Sequence, residues 1–282
     1  MLESFAFNSF AKLNLSLIVQ GVRKEYHILR MINTEIDLPD KIRGEFDLDV
    51  KKGKIVVETI PDLRIPMARN LVYKALVAYF NLIEFTPNFK ITIKKSIPPG
   101  TGLGGGSSNA AYALLFLHKL FPVLTDSQLL ELGATIGSDV PFFIQGAAAH
   151  VLGRGNVIKP IKLNLKKYQF VVVIPKFRLQ TPNVYAEFDR LKLPFDTDLN
   201  ETVKWLPLRN DLYTPAMNLE PMLEKVIRNI RQTNPLDASM TGSGSACFGV
   251  YDNVLSAQKA AQILRTRYSK VILAHAKETK NL

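Results

Sequence analysis

PPGTGLGGGSSNAA, Pro98–Ala111, puts Gly100, Gly102, Gly104, Gly105 and Gly106 directly ahead of an apolar run. Glycine weakens the interior of a helix or strand, so this density needs a reason. A flexible linker is one reading, but linkers are not normally followed at once by an apolar helix, and Pro98 and Pro99 stiffen the entry. A tight turn is another, but it needs one or two glycines. The third is an anion cradle, in which a bare loop feeds a helix N-terminus and aims unpaired N–H groups and the positive dipole end at a phosphate. Ser107, Ser108 and Asn109 would then add donors in the first turn. Two common phosphate loops match poorly: no lysine closes the run as in a Walker A loop, and for a dinucleotide fingerprint the loop lies a third of the way into the chain, with the position expected to be acidic falling in the helix LHKLF.

On either side, the chain mixes strands and helices. LNLSLIV (13–19) and NFKITIKKS (88–96) alternate with period two, and FDLDVKKGKIVVETI (46–60) reads as two strands turning at Gly53. Asn70 is placed to cap a helix through LVYKALVAYFNLI, and Thr125 with Gln128 forms a capping box. Further on, YQFVVVIP (168–175) reads as a buried strand and NLEPMLEKVIRNIRQT (218–233) as an amphipathic helix. ASMTGSGSACFGVYD reads as strand, glycine turn and strand, followed by the helix SAQKAAQILRTRY and the strand KVILAHA. No repeat or regular βαβ alternation appears, so the class is α+β in two lobes, divided as 1–155 and 156–282.

Composition sets limits. The 282 residues are 47% hydrophobic and 22% charged, ordinary for a globular chain. No apolar run approaches a membrane span, and the N-terminus lacks the marks of a signal peptide, so the expected place is the cytoplasm. The single cysteine, Cys247, lies in an apolar run and reads as a small buried hydrophobe. A net charge of +11 is scattered without basic blocks, which disfavours nucleic acid and suits steering of a small polyanion. His118, His150 and His275 have no companions at metal-ligand spacing.

The glycine run resembles the ATP-binding loop of the GHMP kinases, a family that includes galactokinase, homoserine kinase and mevalonate kinase. The likeness runs through ordered islands: AKLNLSL, YH, NLVYKA, the loop, GSDVPFF, GRG, TPNVY, NDL and TGSGSACFG. It implies an N-terminal lobe like ribosomal S5 domain 2 and a ferredoxin-like C-terminal lobe. It also implies ATP as phosphoryl donor, held by Asn70 and Pro99, Gly100, Thr101, Gly102, Leu103, Gly104, Gly105, Gly106, Ser107, Ser108 and Asn109, with Mg²⁺ carried mainly by the phosphates.

Residue by residue, the resemblance places Lys12 and Asp139 beside the hydroxyl that is phosphorylated. Alone, Lys12 reads as a snorkelling edge residue and Asp139 as a helix cap. Lys12 and Asn14, two apart on a strand, share a face. The branch of the family that the islands match best takes a cytidine-diphosphate-linked polyol. Its pocket would comprise Asn14, Tyr26, His27, Thr181 and Tyr185, with Tyr185 lying over the base. GVRKEYH departs from the family pattern: Lys24-Glu25 replaces Asp-Gly, which removes a glycine suited to positive φ. A homoserine- or mevalonate-type kinase and a non-catalytic nucleotide-binding relative are the alternatives. The expected assembly is a monomer or homodimer.

Overall fold

The computed structural model describes residues 2–50, 53–197 and 204–277. Two 22-residue strands, β1 (Leu2–Arg23) and β2 (Tyr26–Asp47), form an antiparallel hairpin. Its two-residue turn is Lys24-Glu25; Lys24 takes the left-handed conformation, φ 58°, while Glu25, which stands where the family pattern has glycine, does not. Tyr26 and His27 therefore open β2, opposite Arg23 and Val22.

The rest of the first sheet builds on this hairpin. β3 (Ile55–Ile60) runs parallel to β4 (Asn88–Lys94), which pairs with the far half of β2. The strands on either side of Gly53 are both present, but they are not a hairpin, because β4 lies between them. A Cβ at Gly53 would lie 2.0 Å from the Pro87 carbonyl carbon, so the chain crosses itself there instead of folding back. β5 (Ala148–Gly153) pairs with the near half of β2, and β6 (Val157–Pro160) pairs with β5. The 155/156 division falls in the β5–β6 turn. A later strand, β8 (Arg209–Asn210), also joins this sheet, parallel to β1.

Helices α1 (Leu71–Leu82), α2 (Gly105–Leu120), α3 (Asp126–Ile136) and α4 (Val140–Gln145) pack with one another, and α2 also packs on β1. Asn70 caps α1 by accepting from Val72 N at 2.9 Å, and the Thr125–Gln128 capping box starts α3. Phe5, Phe89 and Phe116 stack where helix meets sheet.

The second sheet has the order β11 (Val271–His275), β7 (Gln169–Val173), β10 (Cys247–Tyr251), β9 (Asp237–Met240), all antiparallel. In chain order that is fourth, first, third, second, with α7 (Met222–Arg231) and α8 (Val254–Arg265) as its connecting helices. This is the ferredoxin-like plait. α5 (Thr181–Arg190) and α6 (Tyr213–Leu219) precede α7, and Pro221 separates α6 from α7, so 218–233 is the end of one helix and the start of another.

The two sheets share a core. Leu13 and Leu15 of β1 pack in one cluster with Phe170, Val172 and Phe248 of the second sheet, while Leu17 and Val19 pack under the helices. The switch of face has a local cause: Leu15 is an extra residue in the β1–β2 register, between Asn14↔Asn33 and Ser16↔Ile32. The middle of β1 is thus covered on both sides, and its polar residues Lys12, Asn14 and Ser16 are as buried as Leu13, Leu15 and Leu17.

Candidate active site

The glycine loop is held from three directions. Leu103 O accepts from Lys12 N at 3.0 Å, which fastens the loop to β1. Thr101 Oγ1 donates to Pro98 O at 2.8 Å, and Thr101 O accepts from Ala246 N at 3.1 Å. The third hold comes from the TGSGS turn of the second sheet. Gly102 has φ 79°, and a Cβ there would lie 2.1 Å from Thr241 O; a Cβ at Gly242 would lie 3.1 Å from Gly102 Cα. The two bare turns interlock backbone to backbone.

Gly104, at φ 73°, begins α2. A Cβ on it would stand 2.8 Å from Phe143 Cε2 and 3.2 Å from Lys12 Cγ, so β1, the loop and α4 meet here. Intrahelical bonding starts with Ser108 N to Gly104 O, which leaves the amides before it directed out of the helix end. Gly106 is exposed, and a Cβ there would meet nothing closer than Leu71 Cδ1 at 3.8 Å. Packing gives no reason for that glycine; close approach of a ligand does. The same methyl lies 3.7 Å from a Cβ at Gly137, so Asn70 and the Gly137–Asp139 turn border the first turn of α2. Ser107 Oγ faces that turn, 3.9 Å from the same Gly137 position. Pro99 and Gly100 are exposed at the entry, and Gly105 packs on Ile97, where a Cβ would come to 2.7 Å.

Four loop residues turn inward instead. Thr101 and Leu103 are buried and shape the bend. Ser108 is fully buried, its hydroxyl without a hydrogen-bond partner. Asn109 does not add a donor to the cradle. Its Nδ2 donates to Ser9 Oγ at 2.6 Å and to Asp40 Oδ2 at 2.9 Å, and its Oδ1 accepts from Lys95 Nζ at 2.8 Å. As the fifth residue of α2, it lies more than a turn beyond the helix start, where the helix faces the sheet.

Asp40, unremarked in the sequence, is the anchor beneath. Its carboxylate is fully buried, pairs with Lys95, and accepts from Ser96 N at 2.6 Å and Ile97 N at 2.9 Å. One side chain thereby holds the strand exit, the loop entry and α2.

Beside the loop opens a cleft of about 1020 Å³ whose walls include Lys12, Asp139, His27 and Tyr185. Lys12 is 3% exposed, so it is no snorkelling edge residue. Its Nζ donates to Asn14 Oδ1, as the two-residue spacing predicts. Asn14 is itself held: Oδ1 also accepts from Thr241 Oγ1 at 3.1 Å, and Nδ2 donates to Asn33 Oδ1 at 2.7 Å. Its amide is committed to placing Lys12. Asp139 occupies the cap position of α4, but its side chain makes no capping bond and is left to the cleft.

Burial lowers the Lys12 pKa from its ordinary 10.5, and the facing Asp139 charge offsets part of that fall. Folded Lys12 releases its proton more readily than the same lysine in the unfolded chain. Between the lowered value and 10.5 the unfolded chain holds more protons, so this group's destabilising effect fades as pH rises through that window. Activity that needs the ammonium falls over the same window. A pH profile of kcat/KM is expected to show an alkaline limb below 10.5 that is missing from the residual activity of Lys12→Met; the same limb in both proteins would disprove it.

The far end of the cleft is aromatic. His27 stacks on Tyr185 with ring centroids 4.6 Å apart, and its Nε2 lies 2.8 Å from Asp189 Oδ1. Tyr185 and Asp189 are four residues apart on α5, hence on one face, a signal present in TPNVYAEFD. Burial and the Asp139 charge both raise the Tyr185 pKa, so it stays a neutral phenol. Tyr26 lies under the Arg154 guanidinium, 3.2 Å from ring centroid to Cζ. Thr181 Oγ1 and Ser243 Oγ, 2.7 Å apart, tie α5 to the TGSGS turn. Cys247 is fully buried, and burial pushes its thiol pKa up, consistent with an inert core residue.

The chain matches the GHMP kinases N terminal domain over residues 70–147 and the GHMP kinases C terminal domain over 197–270. It is 33% identical over 293 residues to 4-diphosphocytidyl-2-C-methyl-D-erythritol kinase of Clostridium perfringens (strain 13 / Type A), covering 97% of this chain and 99% of that one. The protein of that name from Thermodesulfovibrio yellowstonii is 34% identical over 281 residues, with 94% and 95% covered. A crystal structure of 4-(cytidine 5'-diphospho)-2C-methyl-D-erythritol kinase aligns with a TM-score of 0.82 at 31% identity, over 98% of this chain and 100% of that one. Homoserine kinase from Cytophaga hutchinsonii shares the fold, with a TM-score of 0.71 at 16% identity over 98% and 96%.

Proposed function

This chain belongs to the GHMP kinases, and we propose that it transfers the γ-phosphoryl group of ATP to the free 2-hydroxyl of 4-diphosphocytidyl-2-C-methyl-D-erythritol, giving the 2-phosphate and ADP. The observation that carries the chemistry is the meeting of Lys12, Asp139 and the Gly104 helix start in one cleft. Free first-turn amides receive the phosphates. Asp139 takes the hydroxyl proton as the oxygen attacks, and Lys12 bears on the negative charge that develops. Asn14 and Asn33 hold the ammonium in place.

Mg²⁺ is expected to arrive with ATP. Among the described residues no group of three or more His, Cys, Asp or Glu could hold a metal ion. The donors suit an ion ligated mostly by phosphate oxygens, with Asp139 the carboxylate beside the loop. When bound, it neutralises phosphate charge. We place the division between the lobes after β6, with β8 returning to the first sheet. No helix among the described residues is long and apolar enough to cross a membrane.

The names of the relatives and the aromatic end of the cleft both support the cytidyl substrate. An ADP-coupled assay is expected to show turnover with the cytidyl compound and none with mevalonate or homoserine; the reverse preference would overturn the assignment. Loss of the imidazole from the base pocket in His27→Ala should weaken CDP binding about tenfold or more by calorimetric titration. Equal affinity of the two proteins would remove His27 from the pocket.

A further inference from the structure

The second sheet carries a cleft of its own, about 620 Å³, bounded by the end of β7, α7 and the link from α8 to β11. Its apolar wall is Ile174, Phe177 and Val226, with Met222, 51% exposed, at the rim. Its charged groups are Lys176, Lys225 and Arg267, and among the described residues lining it there is no acid. All three are exposed side chains at the mouth of the cleft. Arg267 is oriented by neutral oxygens alone, Nη1 donating to Asn229 Oδ1 at 2.9 Å and Gln232 Oε1 at 3.0 Å. Asn229 is buried in turn, its Nδ2 donating to Tyr268 Oη at 2.6 Å, which leaves the phenol proton available to a ligand.

A guanidinium pre-aimed without a counter-charge, two flexible ammonium groups and a phenol surround an apolar floor. That combination selects an anion attached to a hydrophobic body. The volume falls in the range of small-molecule sites. We infer that this cleft binds a small organic phosphate ester, the phosphate on Arg267, Lys225 and Lys176 and the apolar body against Phe177 and Val226. The site is separate from the catalytic cleft but touches its supports, since Phe177 O accepts from Ser245 Oγ at 2.8 Å, in the turn that interlocks with Gly102.

Two methionines report the two clefts independently: Met222 lines this one and Met31 the catalytic one. Protein labelled with ¹³C-methyl methionine, its signals assigned with Met222→Leu and Met31→Leu, is titrated with phenyl phosphate, phenol and inorganic phosphate. Phenyl phosphate is expected to move the Met222 methyl signal saturably, at least about tenfold more tightly than phenol or phosphate, with CDP moving Met31 instead. Lys176→Glu with Lys225→Glu, both on exposed side chains, should weaken the Met222 response at least about tenfold and leave the Met31 response to CDP intact. An unmoved Met222, equal affinity for phenol, or an unchanged response in the charge-reversed protein would each overturn the proposal. Sedimentation with vesicles of phosphatidylcholine and phosphatidic acid separates the sources: co-sedimentation lost in the charge-reversed protein assigns the ester to a lipid headgroup, and its absence with Met222 still responding assigns it to a soluble ester.

Discussion

Asp139→Asn is expected to cut kcat by about 10²–10⁴-fold while leaving the fold unchanged. The amide is nearly isosteric but cannot take a proton from the attacking hydroxyl. A residue at a helix cap would ordinarily confuse this experiment, because losing a cap costs about 1 kcal/mol of stability. Here it does not, since the Asp139 side chain makes no capping bond and α4 starts with Pro141 in its first turn. Thermal midpoint and acceptor KM should therefore stay close to wild type while turnover collapses. Unchanged turnover would reject Asp139 as the proton acceptor. A collapse in stability together with activity would return it to a structural role.

The second large effect lies away from the reacting groups. Asp40→Ala leaves the Lys95 ammonium buried without its partner and orphans the amides of Ser96 and Ile97. Breaking a buried pair from one side costs about 3–5 kcal/mol. At about 2–4 °C per kcal/mol for a chain of this size, the midpoint falls on the order of 10 °C. Because the same carboxylate holds both the loop entry and α2 through Asn109, the KM for ATP should rise in the surviving folded protein. Asp40→Leu combined with Lys95→Met should recover the part of the loss that comes from the stranded charge, but neither the part that comes from the orphaned amides nor the KM, because the loop remains unheld. A single variant within 1 kcal/mol of wild type in a denaturant melt would refute this role.

Which parts of the site could be read from the chain follows from the range of the forces involved. The glycine loop, the Asn70 cap and the Thr125–Gln128 box were legible because each depends on neighbours within a few residues. Lys12 and Asn14 were legible as a pair because a strand puts alternate residues on one face. Asn109 was misread as a donor to the cradle, since only the packing of α2 on the sheet says which face of the helix turns inward. Asp40 gave no signal: it is one aspartate in a long strand, and its partners lie 55 to 69 positions away. The strands flanking Gly53 looked like a hairpin because nothing local announces that β4 will insert between them.

By itself, then, the order of residues determined the loop's backbone, the places of α1, α2, α3, β4 and β7, and the pairing of Lys12 with Asn14. It did not determine the length of β1, read as 13–19 and found to run from Leu2 to Arg23, nor the existence of most of β2. What it did determine rests on φ preference, capping and periodicity, which are properties of short segments. Tertiary structure alone decided that the middle of β1 is buried on both faces, that Gly102 meets Thr241, 139 positions on, and that Asp189 reaches His27, 162 positions back. A polar side chain's role depends on what desolvates it and what answers its charge. In this protein those partners come from the other sheet or the far end of the chain.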